Sequence, residues 1–364
     1  MSKQLIPGVA FLVIGENIHT TRTLARTGRH LVTLDGGQAG IAYTDAAGVA
    51  RIMPLAEPIA ASSDFMAGRV KHVRNAVLLG MAAAGFADAG LAGPPSAAAA
   101  DAATAYLVHL ADRQVQAGAD WLDVNVDEVA GDLDVRITAM EWVVGVLEAA
   151  REVTVPIALD SSSSEVLKAG LAASTHPHGR LLLNSASLER PDVLDLAAAH
   201  GCPVVIGAAG EDSLPTTADA RVTNTHRILT KASRLGIPLA DCHLDPLVMP
   251  AGVDPEAGAA FLDAARRIRV AYGPDLHITG GLSNVSFGLP GRRLLNDVFL
   301  LRAMEAGVDS GIIDPVAADS GRIMRFDRTS PAFMLAEDLL LGRDAYGMEY
   351  LTAYRAGLLA DALA

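Results

Sequence analysis

Short, unbroken apolar runs alternate with longer amphipathic runs along most of the chain. The short runs have the length of buried strands, and the longer runs repeat apolar residues at the three- and four-residue spacing of helices. Eight short runs predict strands at residues 11–14, 121–126, 155–159, 180–183, 203–206, 242–244, 276–279 and 308–313. From residue 121 onward, a helical run follows each strand.

Eight such β/α units in a chain of 364 residues predict an α/β fold, a closed (β/α)8 TIM barrel. The competing fold is a doubly wound open sheet. Its dinucleotide-binding form is disfavoured because no G-x-G-x-x-G motif follows the first strand. We therefore predict one barrel domain over residues 1–364, with C-terminal helices in residues 316–364.

Residues 28–58 break this alternation. Three short β runs lie at 30–34, 40–44 and 49–53, and the turn sequences between them are Asp35-Gly36-Gly37 and Asp45-Ala46-Ala47-Gly48. They predict a small β meander inserted after strand 1, which is either a decorative insertion or a functional surface. Beyond it, the pattern predicts a helix over 64–81, a Gly/Pro-rich break over 90–96 and a long helix over 97–116.

Composition narrows the class of protein. The chain is 51% hydrophobic with a mean hydropathy of +0.30, so it can bury a large core, but its apolar runs are too short to span a bilayer. The sequence predicts no signal peptide, and two cysteines, Cys202 and Cys242, are too few for a disulfide scaffold or a zinc cluster. We expect a cytoplasmic protein.

The net charge of −13 comes without any long Lys/Arg tract. Nucleic acid and anionic membrane surfaces are therefore disfavoured as partners.

Polar residues collect at the carboxyl ends of the predicted strands, where a barrel of this type places its active site. They are Glu16, Asn17, Asp123, Asn125, Asp160, Ser161, Asn184, Ser185, Asp245, Asn284 and Asp314. Any one of them could instead cap the following helix. Together, carboxylates and amides favour recognition of a flat heterocycle rich in N–H donors. No histidine cluster indicates a metal site, so we predict no metal.

Other polar residues have simpler interpretations. The histidines at strand ends, His19, His30, His243 and His277, are predicted to be structural. The acidic residues that follow the second strand, Asp127, Glu128, Asp132 and Asp134, are predicted to form a solvated surface.

Several strand-end segments carry a family resemblance. They are Ile14-Gly-Glu-Asn-Ile18, Leu122-Asp-Val-Asn-Val126, Ala139-Met-Glu-Trp142, Leu159-Asp-Ser161, Asn184-Ser185, Leu244-Asp-Pro-Leu247, Leu282-Ser-Asn-Val-Ser286 and Ile313-Asp-Pro315. By these segments, which occur in the family's order, the chain resembles the pterin-binding methyltransferases, specifically the methyltetrahydrofolate:corrinoid protein methyltransferases. The resemblance covers residues 9–315 apart from the insert. The Leu-Ser-Asn-Val-Ser run is its most specific part.

The resemblance implies roles for individual residues. Asp160, Asn184 and Asp245 would bind the edge of the pterin ring, with Ser286 as a further contact. Asn284 would lie beside N5, the nitrogen that carries the methyl group, and would act as the catalytic residue. The candidates for lining the rest of the site are Glu16, Asn17, Asp123, Asn125, Ser161, Phe287, Arg292 and Asp314.

The chemistry explains why an amide suits this position. The tertiary amine N5 is a poor leaving group, so its charge changes as the carbon–nitrogen bond breaks. Asn284 can donate or accept a hydrogen bond, and such a dipole stabilises the transition state more than the ground state. No general acid stands beside Asn284 in the sequence, so the proton would come from solvent.

The sequence departs from the family at three points. Phe287 replaces a polar residue after the Ser-Asn-Val-Ser run, which removes a second hydrogen bond near N5. The meander at 28–58 is absent from short members and would offer a docking surface or lid for a corrinoid protein. The chain has no Asp-x-His-x-x-Gly motif for cobalamin, so the corrinoid would be carried by a partner protein.

We therefore hypothesise a methyltransferase that moves a methyl group between a corrinoid protein and tetrahydrofolate, in a demethylation pathway that forms methyltetrahydrofolate. The resemblance also implies a homodimer. The opposite direction of transfer stays open, since a catalyst accelerates both. One alternative is a dihydropteroate synthase type of enzyme, in which Arg292 or Arg293 would bind a diphosphate leaving group. The other is a non-catalytic, folate-binding component of a corrinoid complex.

Overall fold

The computed structural model describes residues 10–86, 91, 94–318 and 320–359. Residues 1–9, for which the sequence predicts no signal peptide, and part of the Gly/Pro-rich break over 90–96 lie outside these residues. In chain order, the strands are β1 (Leu12–His19), β2 (Leu24–Ala25), β3 (Leu31–Thr33), β4 (Ala39–Thr44), β5 (Ala50–Pro54), β6 (Arg69–Val70), β7 (Trp121–Asn125), β8 (Ile157–Asp160), β9 (Leu182–Ala186), β10 (Val204–Gly207), β11 (Cys242–Asp245), β12 (His277–Ile278) and β13 (Ser310–Ile313).

From β5 onward, helices separate the strands. They are α1 (Glu57–Ala60), α2 (Ser63–Met66), α3 (His72–Ala83), α4 (Ala97–Gln116), α5 (Leu133–Ala149), α6 (Ser164–Ala173), α7 (Asp192–His200), α8 (Ala218–Arg234), α9 (Ala257–Tyr272), α10 (Arg292–Glu305), α11 (Ser320–Met324), α12 (Pro331–Leu340) and α13 (Met348–Arg355). Short 3-10 turns lie at Asp35–Gly37, Leu239–Asp241, Gly273–Asp275, Leu282–Ser286 and Ala345–Gly347.

Eight strands form one sheet in the order β12-β11-β10-β9-β8-β7-β1-β13. β1 and β13 pair in parallel, with Leu12 opposite Ser310 and Gly15 opposite Ile313. A parallel bridge between Gly281 and Ile312 joins the residues after β12 to β13, so the two ends of this strand order also meet. The predicted (β/α)8 barrel is confirmed.

The insert is also confirmed as a meander. β3, β4 and β5 form a three-stranded antiparallel sheet. Tyr43 of β4 packs edge-on against Tyr106 of α4, with ring centroids 5.0 Å apart. This contact attaches the meander to the long helix that precedes β7.

The helix predicted over 64–81 is wrong in its first part. α2 ends at Met66, and Gly68 follows with a φ of +85°, in the left-handed region that favours glycine. The chain then enters β6, which pairs with β2, before α3 begins at His72. Gly68 therefore lies at a break between two helices that the apolar pattern predicted as one.

Among the predicted C-terminal helices, the last one begins only after a turn at residues 345–347. Tyr346 has a φ of 58° and Gly347 a φ of 67°, so this part of the chain forms a turn and α13 starts at Met348. The Asp344 carboxylate accepts the backbone N–H groups of Glu349 and Tyr350 at 3.0 and 2.9 Å. These bonds fix the start of the helix.

The chain divides into two compact units, residues 1–15, 117–120 and 182–364 in the first and residues 16–116 and 121–181 in the second. In the first unit, Phe261 of α9 and Phe299 of α10 pack with ring centroids 5.5 Å apart. In the second, the Trp142 ring of α5 lies so close to Gly80 of α3 that a Cβ there would be 2.0 Å from it. Both contacts are between helices of the same unit.

Within the described residues, no helix combines the length and the apolarity that crossing a membrane requires.

Candidate functional site

In the first unit, Asp245 ends β11 and begins a tight turn. Its Oδ1 accepts the N–H of Leu247 at 2.7 Å, and its carboxylate also accepts the N–H of Gly281. Leu247 has a φ of 70°, which is rare for a residue with a branched side chain. The carboxylate is therefore held by two backbone donors from separate strand ends.

Burial raises the pKa of Asp245 to about 6, and the two backbone donors and the charge of Arg221 oppose that rise. The residue as a whole keeps part of its surface exposed. A ligand that brings N–H donors would stabilise the charged form and pull the pKa down again. Asp245 thus suits a ring edge rich in N–H donors, as predicted for it.

Two glycines follow β12 and lie between Asp245 and Asn284. A Cβ on Gly280 would be 3.2 Å from Asp245 Oδ1, and a Cβ on Gly281 would be 2.7 Å from Asn284 Nδ2. Asn284 itself is exposed, on the 3-10 turn Leu282–Ser286. The absence of side chains at both glycines lets the backbone pass closely between the carboxylate and the amide.

Ser286, predicted to contact the pterin, lies inside the protein and not on the surface of the site. It is fully buried, and its hydroxyl lies 2.6 Å from Asn296 Oδ1 and 3.2 Å from the carbonyl of Ser283. Arg292 Nε donates to the same hydroxyl at 3.0 Å, and Arg292 Nη2 donates to the Ser283 carbonyl at 2.9 Å. These groups hold the two ends of the turn that carries Asn284.

Phe287 lies on the exposed rim beside this turn. Its side chain is 65% exposed, and its backbone N–H donates to the carbonyl of Asn284 at 3.0 Å. The guanidinium carbon of Arg292 lies 5.7 Å from the centre of the Phe287 ring. Arg292 therefore supports the rim as well as the turn.

Two further predicted site residues of this unit are Asn184 and Asp314, and their surroundings differ. Asn184, in β9, is 8% exposed, and its peptide bond to Ser185 is cis. The Asp314 carboxylate accepts the N–H groups of Val316 and Ala317 at 3.0 and 3.2 Å. Asp314 therefore caps the turn after β13.

In the second unit, Asp160 ends β8 and faces two neighbours. Asn125 Nδ2 donates to Asp160 Oδ2 at 2.9 Å, while Asn125 Oδ1 accepts the N–H of Asp127 at 3.0 Å. His19 Nε2 lies 3.7 Å from the same carboxylate oxygen. The amide of Asn125 is thus fixed in orientation, and it fixes the Asp160 carboxylate in turn.

His19 was predicted to be structural, but it lies beside Asp160. The N–H of Thr21 donates to His19 Nδ1 at 3.3 Å, so Nδ1 acts as an acceptor and the ring proton belongs on Nε2, toward Asp160. Burial first, and then the charge of Arg22, lower the pKa of His19 to about 4. The imidazole is a neutral donor at physiological pH.

Asp127 corrects the prediction of a solvated acidic surface. Its carboxylate accepts the hydroxyl of Ser161 at 2.6 Å and the N–H of Ser162 at 2.7 Å, so it anchors the loop after β8. Asp132 is the N-cap of α5. Glu128 and Asp134 are exposed, as predicted, and Glu128 pairs with Lys71.

Arg22 was missed by the sequence analysis. Its guanidinium donates to Glu16 Oε1 at 3.2 Å and also to Asn17 Oδ1, so Arg22 binds both of these predicted lining residues. β1 continues through these residues to His19 instead of ending at residue 14. Asp123, in β7, is only 1% exposed and lies inside the fold.

Two of the other strand histidines, His243 and His277, are engaged by neighbouring side chains. His243 and His277 stack with ring centroids 4.8 Å apart, and their Nδ1 atoms pair with Ser310 Oγ and Asp309 Oδ2. In the part of the chain that the structure describes, no three His, Cys, Asp or Glu side chains are grouped so that they could hold a metal ion.

Comparison with known proteins gives consistent matches. The family model of the pterin binding enzymes matches residues 96–314. The methylcorrinoid:tetrahydrofolate methyltransferase of Eubacterium limosum is 30% identical over 258 residues, 70% of this chain and 88% of that protein. The methionine synthase of Mycobacterium tuberculosis is 33% identical over 221 residues, 56% of this chain and 18% of that longer protein. A solved dihydropteroate synthase of Xanthomonas albilineans is 21% identical, with a TM-score of 0.48, over 64% of this chain and 86% of its own.

Proposed function

Because the chain belongs to the family of pterin-binding enzymes, we propose that it is a methyltransferase acting between a corrinoid protein and N5 of tetrahydrofolate. The similarity to a methylcorrinoid:tetrahydrofolate methyltransferase over most of both chains supports this reaction and favours methylation of the folate. The corrinoid would be a substrate carried by a partner protein.

One observation carries the proposal: the partly exposed Asp245 carboxylate lies next to Gly280, and the exposed Asn284 amide lies next to Gly281. A pterin presents N–H donors at one edge and N5 on its other ring. We assign Asp245 to the donor edge, where a carboxylate accepts two parallel hydrogen bonds. We assign Asn284 to N5. By family resemblance, Asp160 and Asn184 are further pterin contacts.

The reaction explains what Asn284 must do. In folate methylation, the N5 lone pair attacks the methyl carbon, and the cobalt–carbon bond breaks with its electron pair left on cobalt. N5 becomes cationic and then loses its proton to solvent. The Asn284 amide can donate to the neutral lone pair and, with its oxygen, accept from the cationic N–H. It can therefore stabilise N5 in both charge states.

Ser286 and Arg292 receive positioning roles in this proposal. Both are bonded to the turn that carries Asn284, and Ser286 is fully buried. The same bonds argue against Arg292 as the diphosphate-binding residue of the dihydropteroate synthase alternative. Arg292 would have to leave Ser283 and Ser286 to bind a diphosphate, which would release the turn.

The proposal is tested by mixing the purified protein with methyltetrahydrofolate and reduced cobalamin and following the cobalt absorption spectrum. We expect methylcobalamin to form only when the protein is present. A parallel assay with a pterin diphosphate and p-aminobenzoate should give no product. Folate binding without methyl transfer to free cobalamin or to a corrinoid protein would favour the non-catalytic component. A protein that binds no folate would contradict the proposal.

A further inference from the structure

A buried arginine lies behind the Asp245 turn. Arg221, in the first part of α8, is 0% exposed and is one of the largest fully buried side chains. Burial lowers its pKa, whereas the charges of Asp254 and Asp245 raise it. A cation buried near a helix N-terminus is also opposed by the helix dipole. Such a residue needs an explanation that core packing does not give.

The hydrogen bonds of Arg221 lead to Asp245. Arg221 Nε donates to the carbonyl of Pro246 at 2.8 Å, and Nη2 donates to the carbonyl of Leu247 at 3.4 Å. The N–H of Leu247 donates to Asp245 Oδ1 at 2.7 Å. The Pro246 carbonyl and the Leu247 N–H belong to one peptide group. That peptide therefore points its oxygen at the guanidinium and its hydrogen at the carboxylate.

This alignment has two physical consequences. Each hydrogen bond polarises the peptide in the sense that strengthens the other. The bonds also hold Leu247 in its left-handed conformation, which fixes the direction of the Asp245 carboxylate. Among the described residues, Arg221 is the charged side chain whose field acts on Asp245, and Arg221 itself also faces Asp254.

We propose that Arg221 is a positioning residue that orients the Asp245 carboxylate and keeps it charged, through the Pro246–Leu247 peptide, for binding the folate ring. The inference rests on the proposed function in taking Asp245 as a pterin contact. Arg221 itself does not touch the substrate. The Nη1 of Arg221 has no hydrogen-bond partner in the described part of the chain, so the side chain is held by its bonds to this turn.

The test uses two variants of the full-length protein. Arg221→Lys keeps the charge but loses the planar fork, and Arg221→Gln keeps a donor but loses the charge. Arg269→Gln is the matched control, because Arg269 also donates to backbone carbonyls, those of Gly307, Gly273 and Leu276, but does not contact the Asp245 turn. The Asp245 carboxyl is followed by NMR titration of the ligand-free protein and assigned by its absence in Asp245→Asn.

The wild-type carboxyl should titrate at a pH of about 6. In Arg221→Gln we expect the midpoint to rise by about one pH unit and tetrahydrofolate affinity at neutral pH to fall about tenfold. Arg221→Lys should shift the midpoint less, yet also weaken binding. Arg269→Gln should change neither.

An unchanged midpoint and unchanged folate affinity in a folded Arg221→Gln protein would overturn the proposal. If Arg221→Gln does not fold, Arg221→Lys decides through folate affinity, and wild-type affinity would overturn the proposal. If the wild type binds no folate, the proposed function fails. The titration of the ligand-free protein still tests the coupling of Arg221 to Asp245.

Discussion

The Asn284 amide lies against Gly281, so that a Cβ on the glycine would be 2.7 Å from Asn284 Nδ2. The N–H of the same glycine donates to the Asp245 carboxylate. One residue without a side chain thus separates the group assigned to N5 from the group assigned to the pterin edge. Because of this close approach, a side chain at Gly281 should disturb the positions of both Asn284 and Asp245.

Gly281→Ala should therefore impair transfer without unfolding the protein. Gly281 has a φ of −71°, which alanine adopts freely, and the displaced atom is the end of a flexible side chain. We expect kcat to fall about 10- to 100-fold, since a positioned dipole is lost. The free energy of unfolding should change by less than about 1 kcal/mol. Steady-state kinetics and urea unfolding measure the two effects.

Gly252→Ala is the matched control for this prediction. A Cβ there would meet Leu289 at 3.4 Å, an ordinary contact, in a loop whose residue Ala251 bonds to Val285 of the Asn284 turn. Its kcat should stay within about twofold of the wild type. Equal losses in the two variants would show that general loosening of the rim, and not the position of Asn284, sets the rate.

Arg292→Lys should reduce turnover more than binding. Lysine cannot donate to Ser286 and Ser283 with the fixed fork of arginine, and it loses the contact with the Phe287 ring. We expect kcat to fall roughly tenfold, with the folate dissociation constant changed by less than about threefold. Arg227→Lys, at a surface pair with Glu211, is the control and should be neutral. A loss confined to folate binding would instead place Arg292 against the substrate.

His19 should remain neutral through the physiological range. Its ordinary pKa is 6.5, and burial and Arg22 lower that pKa to about 4. The unfolded chain binds a proton below about pH 6.5 and the folded protein does not, so this residue lowers stability as the pH falls from 6.5 toward 4. Proton–nitrogen NMR should show the Nε2–H tautomer between those values.

Removing the Arg22 charge supplies a second test of His19. In Arg22→Gln the His19 midpoint should rise, because a positive neighbour no longer opposes protonation. The direction of the shift is the diagnostic result. A wild-type midpoint close to the ordinary value, or a downward shift in the variant, would contradict this description of the second unit.

Asp245→Asn should change the pH dependence of stability. The ordinary pKa of 3.8 is raised to about 6 in the folded protein, so the unfolded chain ionises first as the pH rises. The wild type therefore loses stability between about pH 4 and pH 6, whereas asparagine cannot ionise. Relative to the wild type, the variant should gain on the order of 2 kcal/mol from pH 4 to pH 7.5 in urea unfolding. A difference that is constant across this range would contradict the raised pKa.

The sequence pattern predicted the barrel because apolar residues repeat at different spacings in strands and in helices. Each run assigned to a strand was also short, as expected of buried strands. The pattern also placed Asp245, Asn284 and Asp160 at strand ends. It ended β1 too early, at residue 14, because the polar residues Glu16, Asn17 and His19 interrupt the apolar run. Ile18, which lies among them, is nevertheless buried. A buried apolar residue among polar ones, as at Ile18, was the indication that the strand continues.

Other parts of the site had no indication in the pattern. Arg221 lies within a helix of ordinary polarity, 24 residues before Asp245, and its role depends on which carbonyls it meets. Asp127 belongs to an acidic stretch, and only its bonds to Ser161 and Ser162 set it apart. Contacts between residues distant in sequence follow from packing, which period and composition do not encode.

The central claim is that Asn284 stabilises N5 during methyl transfer, and a single-turnover experiment tests it most directly. Corrinoid carrying an isotope-labelled methyl group is mixed with tetrahydrofolate and either the wild type or Asn284→Ala, and labelled methyltetrahydrofolate is measured over time. We predict label transfer by the wild type, a rate about 100-fold lower in Asn284→Ala, and folate dissociation constants within about threefold of each other. Equal transfer rates in the two proteins, or no labelled folate with the wild type, would contradict the claim.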